Sequence, residues 1–393
     1  MNGYQQLRTD VEGSPTSESL EFNEPPKRRL SSSTTITIPS KIVQVVIWSI
    51  ALIVLVSIVS VSTLKSRILS PSTGSLPLSL SADWSTTPSS LIRPRHNATI
   101  VILVSPSSNM YHNLLSTLSN VEEKFNRRLG YPIQLLTNGE LPSEAIRKRT
   151  EWVTGGKAKW SLVTKEQGWG PPDWIAPEQI QKSIETVGFS EGYRNMCQFF
   201  SMYHWGHPAV REFEWVWRLD DTSRFHCALM DDPIELMMKA SAIYGYSQVV
   251  QEALYVIPTL WNTTLAFLKD SKAEEKGWFK PKEKEANWLD FISNDEGKSY
   301  NLSFEIVHRS FFESAPYRAY TSYLNESGGF YLERWGDAPV RTIATSLFLA
   351  RRKFYDFSKI TGYQHEYPEF ECPDLEWCDC DPEKSGRNGG GNW

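Results

Sequence analysis

The sequence predicts an α/β fold, a Rossmann-type sheet flanked by helices in one large domain that stands behind an N-terminal transmembrane helix. Three observations carry this expectation. An uncharged apolar run fills residues 42–64. A strand–helix–strand order opens the region after residue 97, as Rossmann-like half-sheets begin. An apolar strand, EWVWRL, then stops on Asp220 and Asp221, and ligands of open α/β sheets sit outside the carboxyl ends of strands.

The elements follow in order. Residues 1–41 are polar, with PTSES and RRLSSSTTITIP stretches that bury no core, and read as a disordered cytoplasmic tail. Residues 42–64 carry no charge, enough to cross a hydrocarbon core of roughly 30 Å at about 1.5 Å per residue. A cleaved signal peptide has an apolar core of only roughly 7–15 residues. Lys27, Arg28, Arg29 and Lys41 before the run outweigh Lys65 and Arg67 after it, which favours a cytoplasmic N-terminus. The chain therefore reads as a single-pass type II membrane protein. The N-glycosylation triplets at Asn97, Asn262, Asn301 and Asn325 all lie on the expected lumenal side. Residues 65–96, rich in Ser, Pro and Thr, suit an extended stem. Residues 97–375 supply the aromatic and aliphatic side chains of one large domain, and 376–393, ending in GRNGGGNW, read as a flexible tail.

Within the domain, ATIVILVSP (98–106) is strand-like. Leu114, Leu118, Val121, Phe125 and Leu129 recur at helical steps. YPIQLLTNG (131–139) is again a strand ending on a turn signal, and DPIELMMKASAIYG reads as a helix with Pro233 near its start. The apolar ALYVIPTLW follows. No GxGxxG or P-loop occurs, which argues against an ordinary dinucleotide site or a Walker ATPase. The net charge of −5 comes without a long basic run, so nothing points to nucleic acid. Five cysteines in an oxidising lumen allow up to two disulfides with one left over, in a connectivity the sequence does not disclose.

Several dense stretches fall in one order: YPIQLLTNGE (131–140), GYRNMCQFFSMYHWGHP (192–208), EWVWRLDD (214–221), TLWNTT (259–264), YNLSFEI (300–306), GGFYLERWGDAPV (328–340) and ITGYQHEYPEFECP (360–373). With YRNMC and RWGDAPV as its most specific parts, the chain from about residue 98 to 373 resembles the fungal Golgi α-1,2-mannosyltransferases, glycosyltransferase family 15. The resemblance implies a GT-A-like fold in a type II Golgi membrane protein. It implies retaining transfer of mannose from GDP-mannose to the 2-hydroxyl of an α-mannoside on glycoproteins, with Mn²⁺, and a Golgi mannosyltransferase complex as partner.

The same resemblance assigns residues. Asp220 stands at the first acid of the family's Asp-x-Asp-like segment, with Asp221 and Thr222 where the family has a proline and a second acid. Aspartate reaches one methylene less than glutamate, and Asp221 would compensate. His365 matches a metal-binding histidine, and imidazole suits Mn²⁺ better than Mg²⁺ or Ca²⁺. Glu305 matches the carboxylate beside the sugar's anomeric carbon, where retention needs an opposite-face nucleophile or a stabilised front-side attack. The loop before it is several residues shorter than in the family. Asp337, with Arg334 and Trp335, matches a sugar-binding segment; Tyr193 and Arg194 match one that lines the donor site, where Arg194 would fork onto phosphate.

Each residue also has a plainer reading. The aspartates suit turn chemistry, Glu305 a solvent-facing strand position, Asp337 a helix cap, Arg194 a structural ion pair and Trp335 the core. The altered acidic motif and the shortened loop also suit a non-catalytic relative, a mannan-binding or complex-scaffolding module.

Overall fold

The computed structural model describes residues 94–105, 108–279, 297–365 and 370–384. The expected tail, membrane span and most of the stem lie outside them. Among the described residues, no helix is long and apolar enough to cross a membrane.

The frame is a seven-stranded sheet. Four of its strands are β1 (Ala98–Leu103), β2 (Ile133–Asn138), β3 (Ala158–Val163) and β4 (Trp215–Asp220), all parallel to their neighbours among themselves. Two short strands outside the frame, β5 (Arg224–Phe225) and β7 (Val249–Gln251), bracket β6 (Tyr244–Tyr246) in the chain. After β8 (Lys298–Tyr300) come β9 (Phe304–His308), β10 (Phe354–Asp356) and β11 (Tyr363–Gln364). The sheet order is β10-β6-β9-β4-β1-β2-β3, with β9 antiparallel to both β4 and β6. The parallel half is the Rossmann-like opening expected from the sequence. β9 makes the sheet mixed.

Period-two side chains explain how this sheet is covered on both faces. Ile100, Ile102, Ile133, Leu135, Trp215, Trp217 and Leu219 share one core with Leu114, Leu118, Val121 and Phe125. Those four come from helix α1 (Ser108–Val121) and the π-helical turn Glu122–Asn126 that continues it. The helix spacing read from the sequence is the spacing that packs. Phe125 stacks on Trp217 with ring centres 4.5 Å apart, a geometry that adds to area burial. The other face carries Val101, Leu136 and Val216 against Phe199 and Phe200.

The longer helices that follow are α2 (Glu144–Val153), before β3, and, after it, α3 (Pro177–Val187), α4 (Glu191–Met202), α5 (Pro233–Lys239), α6 (Leu260–Asp270), α7 (Ala315–Ser327) and α8 (Asp337–Phe348). α8 is buried at almost every position, including its charged Asp337 and Arg341 and its hydroxyls Thr342, Thr345 and Ser346.

Two expectations are corrected. The helix read over DPIELMMKASAIYG stops at Lys239: Ser241 takes a left-handed φ of 53°, Ile243 N donates to the Lys353 carbonyl, and Tyr244–Tyr246 becomes β6. Residues 376–384 are also not a loose tail. Cys378 is bonded to Cys227, Cys372 to Cys380, and the buried Cys197 is the free one. Asp379 receives Lys124 Nζ at 2.9 Å and pairs with His226 Nδ1 at 2.8 Å.

The Cys227–Cys378 bridge spans 151 residues, a long loop whose closure restricts the unfolded chain. Cys378→Ser is predicted to lower unfolding free energy by about 2–5 kcal/mol in a urea titration. A variant that unfolds with the wild-type midpoint would show that the segment is held by its polar contacts alone.

Candidate functional site

The site forms where β4, β9 and α8 meet. Alternation sends Trp215, Trp217 and Leu219 into the α1 core and leaves Val216, Arg218 and Asp220 on the opposite face. In β9, Phe304 and Ile306 join the same core, so Glu305 turns the other way and sits in register beside Arg218. Glu305 does alternate, as a solvent-facing strand glutamate would, but its face is roofed by protein.

α8 brings Asp337 and Arg341, one turn apart and hence on one side. Arg218 Nη1 donates to Asp337 Oδ2. Arg341 Nε lies 3.4 Å from Glu305 Oε1. A strand cation faces a helix anion and a strand anion faces a helix cation, so the four charges form a crossed quartet. Their exposures are 3%, 5%, 1% and 0% for Arg218, Asp337, Glu305 and Arg341, a burial that charges tolerate only when paired. Aromatic faces complete the lining: Arg218 lies 3.6 Å from the Phe200 ring centre and Arg341 4.4 Å from that of Phe312. Burial pushes the Glu305 carboxyl above its ordinary range, against the pull of Arg341 and Arg218. Burial, then the Arg341 and Arg218 cations, hold His204 well below its ordinary value, so it sits beside them as a neutral ring.

At the carboxyl end of β4 the quartet opens outward. Asp220 keeps its side chain 26% exposed; its Oδ1 is 3.5 Å from Arg218 Nε and its Oδ2 is 3.4 Å from His365 Nε2. His365 follows β11, which pairs antiparallel with β5. Tyr363 fixes this strand by donating to the Ser303 carbonyl at 2.6 Å and bonding Ser223 Oγ at 2.7 Å. Ser223 Oγ in turn accepts from Asp220 N at 3.0 Å. On the far side, His226 bonds Gln364 Oε1 at 2.9 Å.

A carboxylate and an imidazole therefore meet at one point. Among the described residues, no group of three or more His, Cys, Asp or Glu gathers. The donor set fits a divalent cation of intermediate hardness that completes its shell with substrate oxygens and water.

The remaining predicted residues divide. Tyr193 and Arg334 come together, the guanidinium 5.2 Å from the Tyr193 ring centre and 4.1 Å from that of Phe189. Arg334 also binds Glu252 with both terminal nitrogens, at 3.0 and 3.4 Å. Cys197 and burial push the Tyr193 hydroxyl up, and it also senses Arg334 and Asp337, which brings this segment beside the quartet. Asp337 is the first residue of α8, whose N-cap is Gly336; its carboxylate ties to Arg218 instead of capping.

Three assignments are corrected. Arg194 is fully buried and donates to the carbonyls of Gly188, Phe189 and Glu333 and to Ser183 Oγ, so its fork holds a loop to α4. Trp335 is 1% exposed and donates to Glu333 Oε2, which makes it a core residue without a face for a sugar. Asp221 is 5% exposed, and its backbone carbonyl accepts from Thr117 of α1; it does not share the opening of Asp220.

The glycosylation triplet at Asn301 is also committed. Its amide donates to Gln248 Oε1 at 3.0 Å, and its Oδ1 accepts from Ser303 N at 3.1 Å and Oγ at 2.7 Å. That turn is the short connection from β8 to β9. Arg218 was expected only as a partner for a neighbouring aspartate, and Arg341 was not foreseen. Their signal was an arginine inside an otherwise apolar strand and another inside a helix of small, hydroxyl and aliphatic side chains.

Solved structures share this architecture. The X-ray structure of the mannosyltransferase Ktr4p from Saccharomyces cerevisiae matches with a TM-score of 0.67 and 29% identity, over 75% of this chain and 78% of that one. Core-mannan synthase A from Aspergillus fumigatus, in its Mn/GDP form, matches with 0.67 and 29%, over 74% and 80%. The fold is that of these glycosyltransferases. The family model described as glycolipid 2-alpha-mannosyltransferase matches residues 61–388. Glycolipid 2-alpha-mannosyltransferase 2 of Candida albicans is 34% identical over 72% of this chain, which spans 61% of that relative's length. The alpha-1,2 mannosyltransferase KTR1 of S. cerevisiae is 35% identical over 74% of this chain and 75% of its own. The chain belongs to this fungal mannosyltransferase family, glycosyltransferase family 15.

Breaking the quartet has a calculable cost. Asp337→Asn leaves Arg218 buried beside a neutral amide and is predicted to destabilise by about 3–5 kcal/mol. Adding Arg218→Met should return part of that loss in a double-mutant cycle. Strictly additive losses in urea unfolding would mean that the two side chains do not depend on each other.

Proposed function

We propose that this mannosyltransferase moves mannose from GDP-mannose to the 2-hydroxyl of an α-mannoside on glycoproteins, with retention of configuration. The observation that carries the reading is the Asp220–His365 pair at the end of β4, one strand from the buried Glu305. Asp220 and His365 would hold Mn²⁺, which supplies charge neutralisation of the departing diphosphate. The Mn/GDP form of the Aspergillus relative supports that choice of cation and nucleotide.

The chain's own residues do the rest. Arg218, held by Asp337, Asp220 and Phe200, presents a fixed positive charge beside the metal ligands. Glu305 meets the cationic character that develops at the anomeric carbon; a preorganised charge in a dry setting is worth more there than in water. Tyr193 and Arg334 line the neighbouring wall. The domain is read as GT-A-like, in a type II Golgi membrane protein acting with other mannosyltransferases. The charge bias around 42–64 and the positions of the glycosylation triplets support that topology.

The test is incubation of the purified full chain with GDP-mannose, Mn²⁺ and α-methyl-mannoside, followed by linkage analysis. Neither transfer nor GDP release would favour the non-catalytic reading, to which the buried Asp221 lends weight because it leaves one open carboxylate at the strand end. Glu305→Gln is predicted to cut turnover at least ~100-fold with GDP affinity nearly unchanged. Wild-type turnover would assign the chemistry to another group.

His365→Ala and Asp220→Asn are each predicted to raise the Mn²⁺ concentration for half-maximal GDP binding by roughly 10–100-fold, with Asp221→Asn doing less. An unmoved midpoint in both of the first two variants would reduce the end of β4 to turn chemistry.

A further inference from the structure

The quartet contains one member that the reading above does not use. Arg341 sits on α8 with no exposed surface, and three contacts fix it. Nη2 donates to the Phe200 carbonyl at 2.6 Å, the guanidinium lies over Phe312, and Nε faces Glu305 Oε1 at 3.4 Å. The last contact is an ion pair and not a hydrogen bond. Among the described residues, Glu305 Oε1 and Arg341 Nε and Nη1 make no hydrogen bond at all, although all three atoms are buried.

A salt bridge that only holds a core together closes its fork onto the carboxylate and satisfies both partners. This one is anchored from behind by Phe200 and stops short of the carboxylate in front. Glu305 keeps a free acceptor oxygen in a setting where an unmet acceptor is costly. We infer that Arg341 is the positioning residue for Glu305: it holds the carboxylate from α8 and supplies its counter-charge without a hydrogen bond that would tie up the facing oxygen. The inference rests on the reading of Glu305 as the carboxylate that acts at the anomeric carbon.

The surroundings leave this task to Arg341. Arg218 belongs to the other arm of the quartet, where it is shared between Asp337 and, at 3.5 Å, Asp220. Tyr244 of β6 and Tyr317 of α7 also face Glu305; the Tyr244 hydroxyl helps draw the Glu305 carboxyl down, but both are buried phenols that bring no counter-charge. His204, next to Arg341, is neutral. Arg341 is therefore the cation that Glu305 does not share with a second carboxylate in direct contact. Glutamate left without it would bind a proton more readily, and a neutral acid cannot support a developing cation.

Three variants of the full chain test this, read by kcat, KM and the pH profile of kcat. Arg341→Gln removes the charge. It should lower kcat at pH 7 by about 10²-fold or more, leave the Mn²⁺-dependent affinity for GDP within about twofold, and move the acid limb up by about one pH unit. The sign follows from the ionised form being the active one, so activity is lost as pH falls through the raised pKa. Arg341→Lys keeps the charge but lacks a fork to reach Phe200 and Glu305 together. Its limb should stay in place while kcat falls. Glu305→Gln tests the underlying reading.

If Glu305→Gln turns over like wild type, that reading fails and takes this one with it. If Glu305→Gln is inactive but Arg341→Gln keeps the wild-type kcat and limb, this inference alone is overturned. Should Arg341→Gln not fold, the lysine variant decides: a wild-type kcat there overturns the inference, and a lowered kcat on an unmoved limb sustains it.

Discussion

The structure depends on a pair of charges in the sheet being answered by a pair in a helix. Arg218 and Glu305 are cross-strand neighbours, on the face that also carries Val101, Leu136 and Val216 against Phe199 and Phe200. Asp337 and Arg341 answer from α8 in the opposite order of sign. No member of this set is stable in the interior alone, because the desolvation cost of each exceeds what any single hydrogen bond returns. The strand pairing, the seating of α8 and the ionisation of Glu305 are thus one arrangement seen from three sides.

The open end of the site follows from the same arithmetic. Asp220 adds a third carboxylate to those of Asp337 and Glu305, against the two guanidinium groups of Arg218 and Arg341. These five groups carry one negative charge in excess, with the His365 ring beside them. Such a place attracts a cation before any substrate is considered. The latch of β5, β11 and the Cys227–Cys378 bridge holds His365 at the rim of this negative field. Rim and interior are built by different means: the interior by opposed charges, the rim by covalent and main-chain ties.

Much of this was legible. Alternation in EWVWRLDD places Arg218 and Asp220 on one face of a strand, and alternation in FEI turns Glu305 away from Phe304 and Ile306. The helix opening the half-sheet packs through the five apolar positions its spacing named. What stayed hidden was which elements meet. Nothing local to β9 says that it runs antiparallel between β4 and β6, and the i, i+4 pair in DAPVR does not name its partners. Arg194 shows the opposite hazard: a motif led toward phosphate, while the fold spent its donors on three carbonyls and a serine hydroxyl. In DPIELMMKASAIYG the apolar spacing runs on past the helix because the same residues must next serve a buried strand, and a periodic pattern cannot tell one buried element from the next.

The crossed quartet also orders events on the ribosome. β1 to β4 can pair as soon as they emerge, and they are the parallel half of the sheet. Their edge strand β4, the middle strand of the finished sheet, nevertheless carries Arg218, whose buried counter-ion is more than a hundred residues downstream on α8. Until that helix arrives, β4 holds a guanidinium that prefers water over a dry seat against Phe200. Full burial of this face of β4 is therefore coupled to the docking of α8, so the two elements are expected to dry together.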